Sequence, residues 1–137
     1  MSIVNLNDHF SVSGELNKQQ LSELIENGLT MLINVRPDNE TDQQKTSREW
    51  KLLCDSLGVS YQHIPVNSGC YAKQQIALFK QVLEQQNGLV HCFCRSGTRA
   101  AHLWALSQKE QSSFQQLQRI CSSKGYDLSA IKDYFAD

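Results

Sequence analysis

The sequence has no C-x-x-C pair, no apolar run of bilayer length, no segment rich in proline or glycine, and no excess of charge of either sign. Each absence removes a class of function. Net charge is −1 over 137 residues, so no general attraction to nucleic acid or to an anionic membrane surface is built in. No apolar run approaches the roughly 20 residues that a bilayer span needs. The first ten residues, "MSIVNLNDHF", lack a basic n-region and a long apolar h-region, so no secretory signal is expected and the chain reads as cytoplasmic. No linker and no internal repeat divides it, and residues 1–137 read as one domain.

The cysteines are five: Cys54, Cys70, Cys92, Cys94 and Cys121. An odd number in a chain read as cytoplasmic argues against a disulfide framework. A Cys-x-Cys unit with only His91 nearby does not supply four tetrahedral ligands, so neither a metal nor another cofactor is expected.

What is present is ordinary globular composition, 40% hydrophobic and 20% charged, arranged in alternating patterns. Ile3–Leu6 and Phe10–Val12 are short strand candidates. Leu21, Leu24, Ile25 and Leu29 have helical spacing. Thr30–Val35 reads as a buried strand running into "RPDNE". Trp50, Leu53, Cys54 and Leu57 mark a second helix, which Gly58 ends as a C-cap. Ser60–Val66 is the next strand, with "NSGCY" as its exit loop. Ile76, Phe79, Val82 and Leu83 give a third helix, stopped by Asn87–Gly88. "LVHCF" is a short, nearly unbroken apolar run and reads as the central strand of a parallel sheet. Helices follow at "TRAAHLWALSQK", around Phe114–Cys121, and at "DLSAIKDYF". Strands alternating with helices imply an α/β fold, a central and mostly parallel sheet flanked by helices. Sites in such sheets form at the carboxyl ends of strands. Three loops meet that condition: Arg36–Glu40, Asn67–Tyr71 and Cys94–Arg99.

"CRSGTR" (Cys94–Arg99) lies between a buried strand and a helix N-terminus. Backbone N–H groups and the positive end of the helix dipole converge there and favour a thiolate. Gly97 permits the tight backbone that a cradle needs. Arg99, at the start of the helix, can bind an oxyanion through two parallel hydrogen bonds. Arg95, Ser96, Gly97 and Thr98 complete an anion-binding loop. The chemistry implied is covalent catalysis through sulfur. Cys94, at the strand's end, is the candidate nucleophile. Cys92, within the strand, reads as a small core residue and, being on the same face, as a candidate secondary redox partner. His91 points to the other face, as a packed core histidine or a brace for the loop.

These residues resemble the phosphatase-like domain family of the beta-lactamase-hydrolase-like proteins. That bacterial family shares the fold of the cysteine-dependent tyrosine and dual-specificity phosphatases. "SVSGEL", "INVRPDNE", "YQHIPV", "VHCFCRSGTRAAHLWAL" and "GYDLSAI" match it in order and spacing, over nearly the whole chain. The resemblance implies a Cys–Arg site with Cys94 as nucleophile and Arg99 as anion clamp. Some members are fused to persulfide dioxygenases and described as sulfurtransferases; others are called phosphatases.

Three local features depart from the phosphatase pattern. Phosphatases of this superfamily place five residues between nucleophile and arginine; here there are four, as in rhodaneses. Their general-acid aspartate lies in the loop that is here Asn67–Tyr71, which has no carboxylate. Ala100 stands where a Ser or Thr usually follows the arginine. Asp38 is the remaining candidate acid, weighed against a turn carboxylate or an ion-pair partner for Arg36 or Arg95. Arg36 is either a second anion contact or half of an ion pair. Cys70 is either a solvated loop cysteine or a resolving thiol for Cys94.

Since an alkoxide leaving group depends on an acid worth about 10²–10⁴-fold, the sequence favours sulfane-sulfur transfer through a Cys94 persulfide. Phosphate-monoester hydrolysis through a phosphocysteine is the alternative. A non-catalytic anion-binding or redox-sensing module is the third reading. The partner expected is a small anionic substrate: a persulfide, thiosulfate or a phosphate ester.

Overall fold

In the computed structural model, which describes residues 2–136, five strands and five α-helices alternate. They are β1 (Val4–Asn7), β2 (Phe10–Ser13), α1 (Lys18–Glu26), β3 (Leu29–Asn34), α2 (Ser47–Leu57), β4 (Ser60–His63), α3 (Lys73–Glu84), β5 (Leu89–Phe93), α4 (Thr98–Ser107) and α5 (Phe114–Ser122). A 3₁₀ helix, Ser129–Phe135, follows where the sequence predicts a last helix. Local chemistry sets the boundaries. Asn17, Thr46 and Ser113 each accept a backbone N–H three residues on, and the residue there reaches back, so α1, α2 and α5 begin at capping boxes. Gly58 ends α2 in the left-handed conformation, φ +73°.

The sheet order is β1-β2-β5-β3-β4, with β1 antiparallel to β2 and every other pairing parallel. "LVHCF" is therefore central, as its unbroken apolar pattern implies. The register aligns the carboxyl ends: Phe93 pairs with Ser13 on one side and Asn34 on the other, and Asn34 pairs with His63. Loops leaving β2, β5, β3 and β4 thus emerge along one edge. β4 is shorter than the predicted Ser60–Val66 strand. Pro65 has no N–H to give a ladder, although Ile64 and Val66 on either side of it still donate to Asn34 and Val35.

Period-2 alternation divides the core. Val90, Cys92 and Cys94 face one cluster, with Phe10, Val12, Ile33, Phe79, Leu103, Leu117 and Ile131. Phe93 faces the other, with Leu21, Leu24, Leu32 and Trp50. α4 is buried along its whole length from Arg99 to Ser107, because helices pack on its outer side while the sheet lies beneath it. That packing fixes the helix whose N-terminus follows Cys94. Among the described residues no helix is long and apolar enough to cross a membrane.

Candidate active site

Cys94 leaves β5 at its carboxyl end. Its backbone N–H reaches the carbonyl of Ser13 at 3.3 Å, which ties the start of the loop to β2. Ser13 is held in turn by His91. The Ser13 hydroxyl donates to the Gly14 carbonyl at 2.7 Å, so its oxygen accepts from His91 Nε2–H at 2.8 Å. His91 Nδ1 is then the acceptor for the Ser11 hydroxyl at 2.6 Å. Burial without a charge partner pushes the His91 imidazole down to about 3, so it stays neutral and keeps both arms. His91 is thus both the buried core residue and the brace that its alternation allowed.

Beyond Cys94 the chain turns tightly. Gly97 sits at φ +93° as the N-cap of α4. A Cβ at Gly97 would collide with the hydroxyl of Tyr126, so both conformation and space require glycine. The Gly97 N–H donates to Cys94 Sγ at 3.1 Å. No side chain caps α4, in contrast to α1, α2 and α5, so its first-turn N–H groups face the loop. Arg95, Ser96 and Thr98 are exposed along the loop, with the Ser96 hydroxyl donating to that of Thr98 at 3.2 Å.

Arg99 is buried at 7% exposure, and its fork already carries a carboxylate. Nη1 and Nη2 donate to the two oxygens of Glu40 at 2.7 and 2.9 Å, and Nη1 also donates to the Val66 carbonyl at 3.0 Å. Both Nη1 hydrogens and one on Nη2 are engaged; the Nε hydrogen and the second on Nη2 form the remaining edge of the guanidinium. Glu40 strengthens the positive form of Arg99 most, against the opposing effect of burial, and charge and hydrogen bonding at Cys94 add to it. The remaining edge lies outside the bonds to Glu40 and Val66, while Cys94 itself is fully buried beneath the loop. The Arg99 hydrogen bonds hold the Glu40 carboxyl below its ordinary range, with Arg36 contributing further.

Arg36 resolves as a structural cation. It is buried at 4% exposure, donates from Nε to Glu40 at 2.9 Å and from Nη1 to Glu15 at 3.0 Å, and Glu15 also accepts from the Trp50 indole at 3.3 Å. Asp38 accepts the backbone N–H of Ser47 at 2.8 Å, at the start of α2. In "RPDNE" the carboxylate that meets Arg99 is Glu40, which sequence reasoning missed. Its signal was available: it is the acidic residue four positions after Arg36 in a loop already assigned to the site.

The three loops do converge. Glu40, Ser68, Arg95, Ser96, Thr98 and Arg99 line one open cavity of about 480 Å³. Cys70 is exposed on the loop after β4, where its N–H closes a turn on Asn67. Cys92 is fully buried, and burial followed by the charge at Cys94 pushes its thiol well above the ordinary range, so it is a core residue in its resting state. All five cysteines are free thiols, and among the described residues no three His, Cys, Asp or Glu side chains group as metal ligands would. Tyr71 and Tyr126 were not singled out by the sequence. Burial raises both phenols, and the charge at Cys94 contributes, so both stay neutral beside the loop.

A family model described as the phosphatase-like domain of beta-lactamase hydrolase-like protein matches residues 3–111. A beta-lactamase hydrolase-like protein of Xylella fastidiosa is 28% identical over 130 residues, covering 93% of this chain and 30% of that protein. One from Agrobacterium fabrum is 27% identical over 132 residues, covering 95% and 31%. The chain thus spans under a third of the length of these relatives. Among solved structures, a candidate phosphatase from Neisseria meningitidis superposes with a TM-score of 0.85 at 26% identity, covering 99% of this chain and 97% of that one. The active form of Tk-PTP gives 0.74 at 15% identity, covering 97% and 91%, a likeness of fold.

Proposed function

The chain belongs to the phosphatase-like domain family of the beta-lactamase hydrolase-like proteins, and from that premise we propose that it hydrolyses phosphate monoesters through a phosphocysteine at Cys94. The observation that carries the reading is the placement of Cys94 at the end of β5, where its sulfur accepts the Gly97 N–H, just before the uncapped N-terminus of the helix that carries Arg99, on a phosphatase-like fold. The Cys94 sulfur attacks phosphorus and the bond to the ester oxygen breaks, with its electron pair leaving on that oxygen. The Arg99 edge and the loop N–H groups hold the non-bridging oxygens. Water then attacks phosphorus, the S–P bond breaks, and the thiolate returns with inorganic phosphate.

The acid side of this reaction restricts the substrate. The loop Asn67–Tyr71 has no carboxylate, Asp38 holds Ser47, and Glu40 is kept ionised between two arginines. We therefore assign the activity to esters whose leaving groups need little protonation, aryl phosphates above all.

The four-residue spacing of Cys94 and Arg99 favours a second reading, sulfane-sulfur transfer. There Cys94 attacks the outer sulfur of thiosulfate or a persulfide. The S–S bond breaks, sulfite or a thiolate leaves with the electron pair, and Cys94 carries a persulfide that cyanide, sulfite or a thiolate removes. No alkoxide needs a proton. The test is a side-by-side assay of aryl-phosphate hydrolysis and thiosulfate:cyanide sulfur transfer on wild type and Cys94→Ser. Phosphate turnover lost in Cys94→Ser supports the first reading. Sulfur transfer alone, lost in the same variant, replaces it with the second.

A further inference from the structure

Outside the Cys94–Arg99 pair, one buried titratable side chain joins three segments around the loop. His102 lies on α4, three residues after Arg99, and is 5% exposed. Its Nε2 lies 3.0 Å from the Asp127 carbonyl. A carbonyl can only accept, so Nε2 carries the hydrogen. In the neutral ring Nδ1 is then the acceptor, and the Tyr71 hydroxyl donates to it at 3.0 Å. Burial lowers the imidazole from its ordinary value and so favours this neutral, two-ended form.

Each arm ends at the site. Tyr71 closes the loop after β4, and that loop is fixed again where the Tyr71 N–H donates to the Tyr134 hydroxyl at 3.1 Å and Tyr134 donates to the Gly69 carbonyl at 3.3 Å. Asp127 adjoins Tyr126. The Tyr126 hydroxyl donates to the Ser96 carbonyl at 3.4 Å and lies against the bare Cα of Gly97. Gly97 in turn aims its N–H at Cys94 Sγ. The contacts run without a break from His102 to the sulfur.

We propose that His102 is a positioning residue, a neutral brace that holds the Tyr126 turn against Gly97 and so keeps the Gly97 N–H aimed at Cys94. This rests on Cys94 being the reactive thiol, not on which group it transfers. An isolated packing role would make His102 matter for stability everywhere alike; a positioning role makes its loss felt first at Gly97.

Amide hydrogen exchange resolved by NMR on the intact chain separates the two. In His102→Ala the Gly97 amide should exchange about tenfold faster, the size expected for losing one aimed hydrogen bond, while the Cys92 amide in the β5 ladder keeps its wild-type rate. His102→Gln, whose amide offers one donor and one acceptor, should bring Gly97 back to within about threefold of wild type. Tyr71→Phe, which removes one arm and no volume from the core, should give an intermediate acceleration and serves if His102→Ala does not fold. An unchanged Gly97 rate, acceleration of Gly97 and Cys92 in equal proportion, or no rescue by glutamine would overturn the assignment. Because none of these readouts involves turnover, they stand or fall apart from the proposed reaction.

Discussion

Replacing Glu40 by glutamine keeps the shape of the side chain and removes the anion that two buried arginines share. Three charge-assisted bonds meet there, two from Arg99 at 2.7 and 2.9 Å and one from Arg36 at 2.9 Å. The amide also turns a donor toward a guanidinium. Removing one partner of a fully buried ion pair costs about 3–5 kcal/mol. Glu40 keeps 25% of its side chain in solvent, while Arg99 and Arg36 keep 9% and 5%, so water can compensate the arginines only in part. A loss of about 2–3 kcal/mol is expected, read as a melting temperature lower by about 6–12 °C for a chain of this size. The same substitution removes the carboxylate charge and one of the two acceptors on the Nη1–Nη2 edge of Arg99, so inorganic phosphate should stabilise Glu40→Gln more than wild type in thermal melts. Stability within about 0.5 kcal/mol of wild type, the range of an ordinary surface change, with an identical phosphate response would refute this account of the cluster.

Acid should abolish the contribution of Glu40. Its folded carboxyl lies below the ordinary 4.5, so its stabilisation is complete above that value and is lost as pH falls through the folded pKa; the wild-type advantage over Glu40→Gln, followed by urea unfolding, should shrink below about pH 4.5 and not between pH 6 and 8. His91 acts over a higher window. Its folded value of about 3 lies under the ordinary 6.5, so the unfolded chain binds the extra proton between these limits and this group removes up to about 1.4 kcal/mol per pH unit as pH drops. His91→Gln should show a flatter slope of unfolding free energy between pH 6.5 and 5, and equal slopes would contradict the buried neutral ring. Gly97→Ala should destabilise by about 1–3 kcal/mol from its φ of +93° alone, with the Tyr126 collision added. Adding Tyr126→Ala should return the collision part and leave the rest, so complete recovery in denaturant titrations would show the strain argument to be wrong.

The parts of the molecule legible in the sequence are those written in local chemistry. The unbroken apolar pattern of "LVHCF" placed β5 at the centre, Gly58 marked the end of α2, and the strand–loop–helix pattern around "CRSGTR" led to Cys94 and Arg99. Alternation alone put Cys92 with Cys94 and His91 on the opposite face. The contacts that escaped are long-range and depend on exact register. Glu40 meets Arg99 only because β3 lies beside β5, and a sequence offers Asp38 equally. His102 and Tyr126 are ordinary residues on helical or turn patterns until α4 and the Tyr126 turn close over Gly97. Arg36 could not be divided between substrate and structure because its second partner, Glu15, comes from the loop after β2. The local departures in the loop favour sulfur, whereas a solved structure similar over 99% of the chain is described as a candidate phosphatase, and the two readings are separated only by assay.

Phosphate-ester turnover, if Cys94 carries it, must vanish when its sulfur is replaced by oxygen. The most direct measurement is steady-state hydrolysis of an aryl phosphate by wild type and by Cys94→Ser, with folding of both checked by thermal melting. Wild type should turn the ester over, and the folded variant should not. Equal rates in the two proteins, or no hydrolysis by wild type between pH 5 and 8, would contradict a phosphocysteine at Cys94.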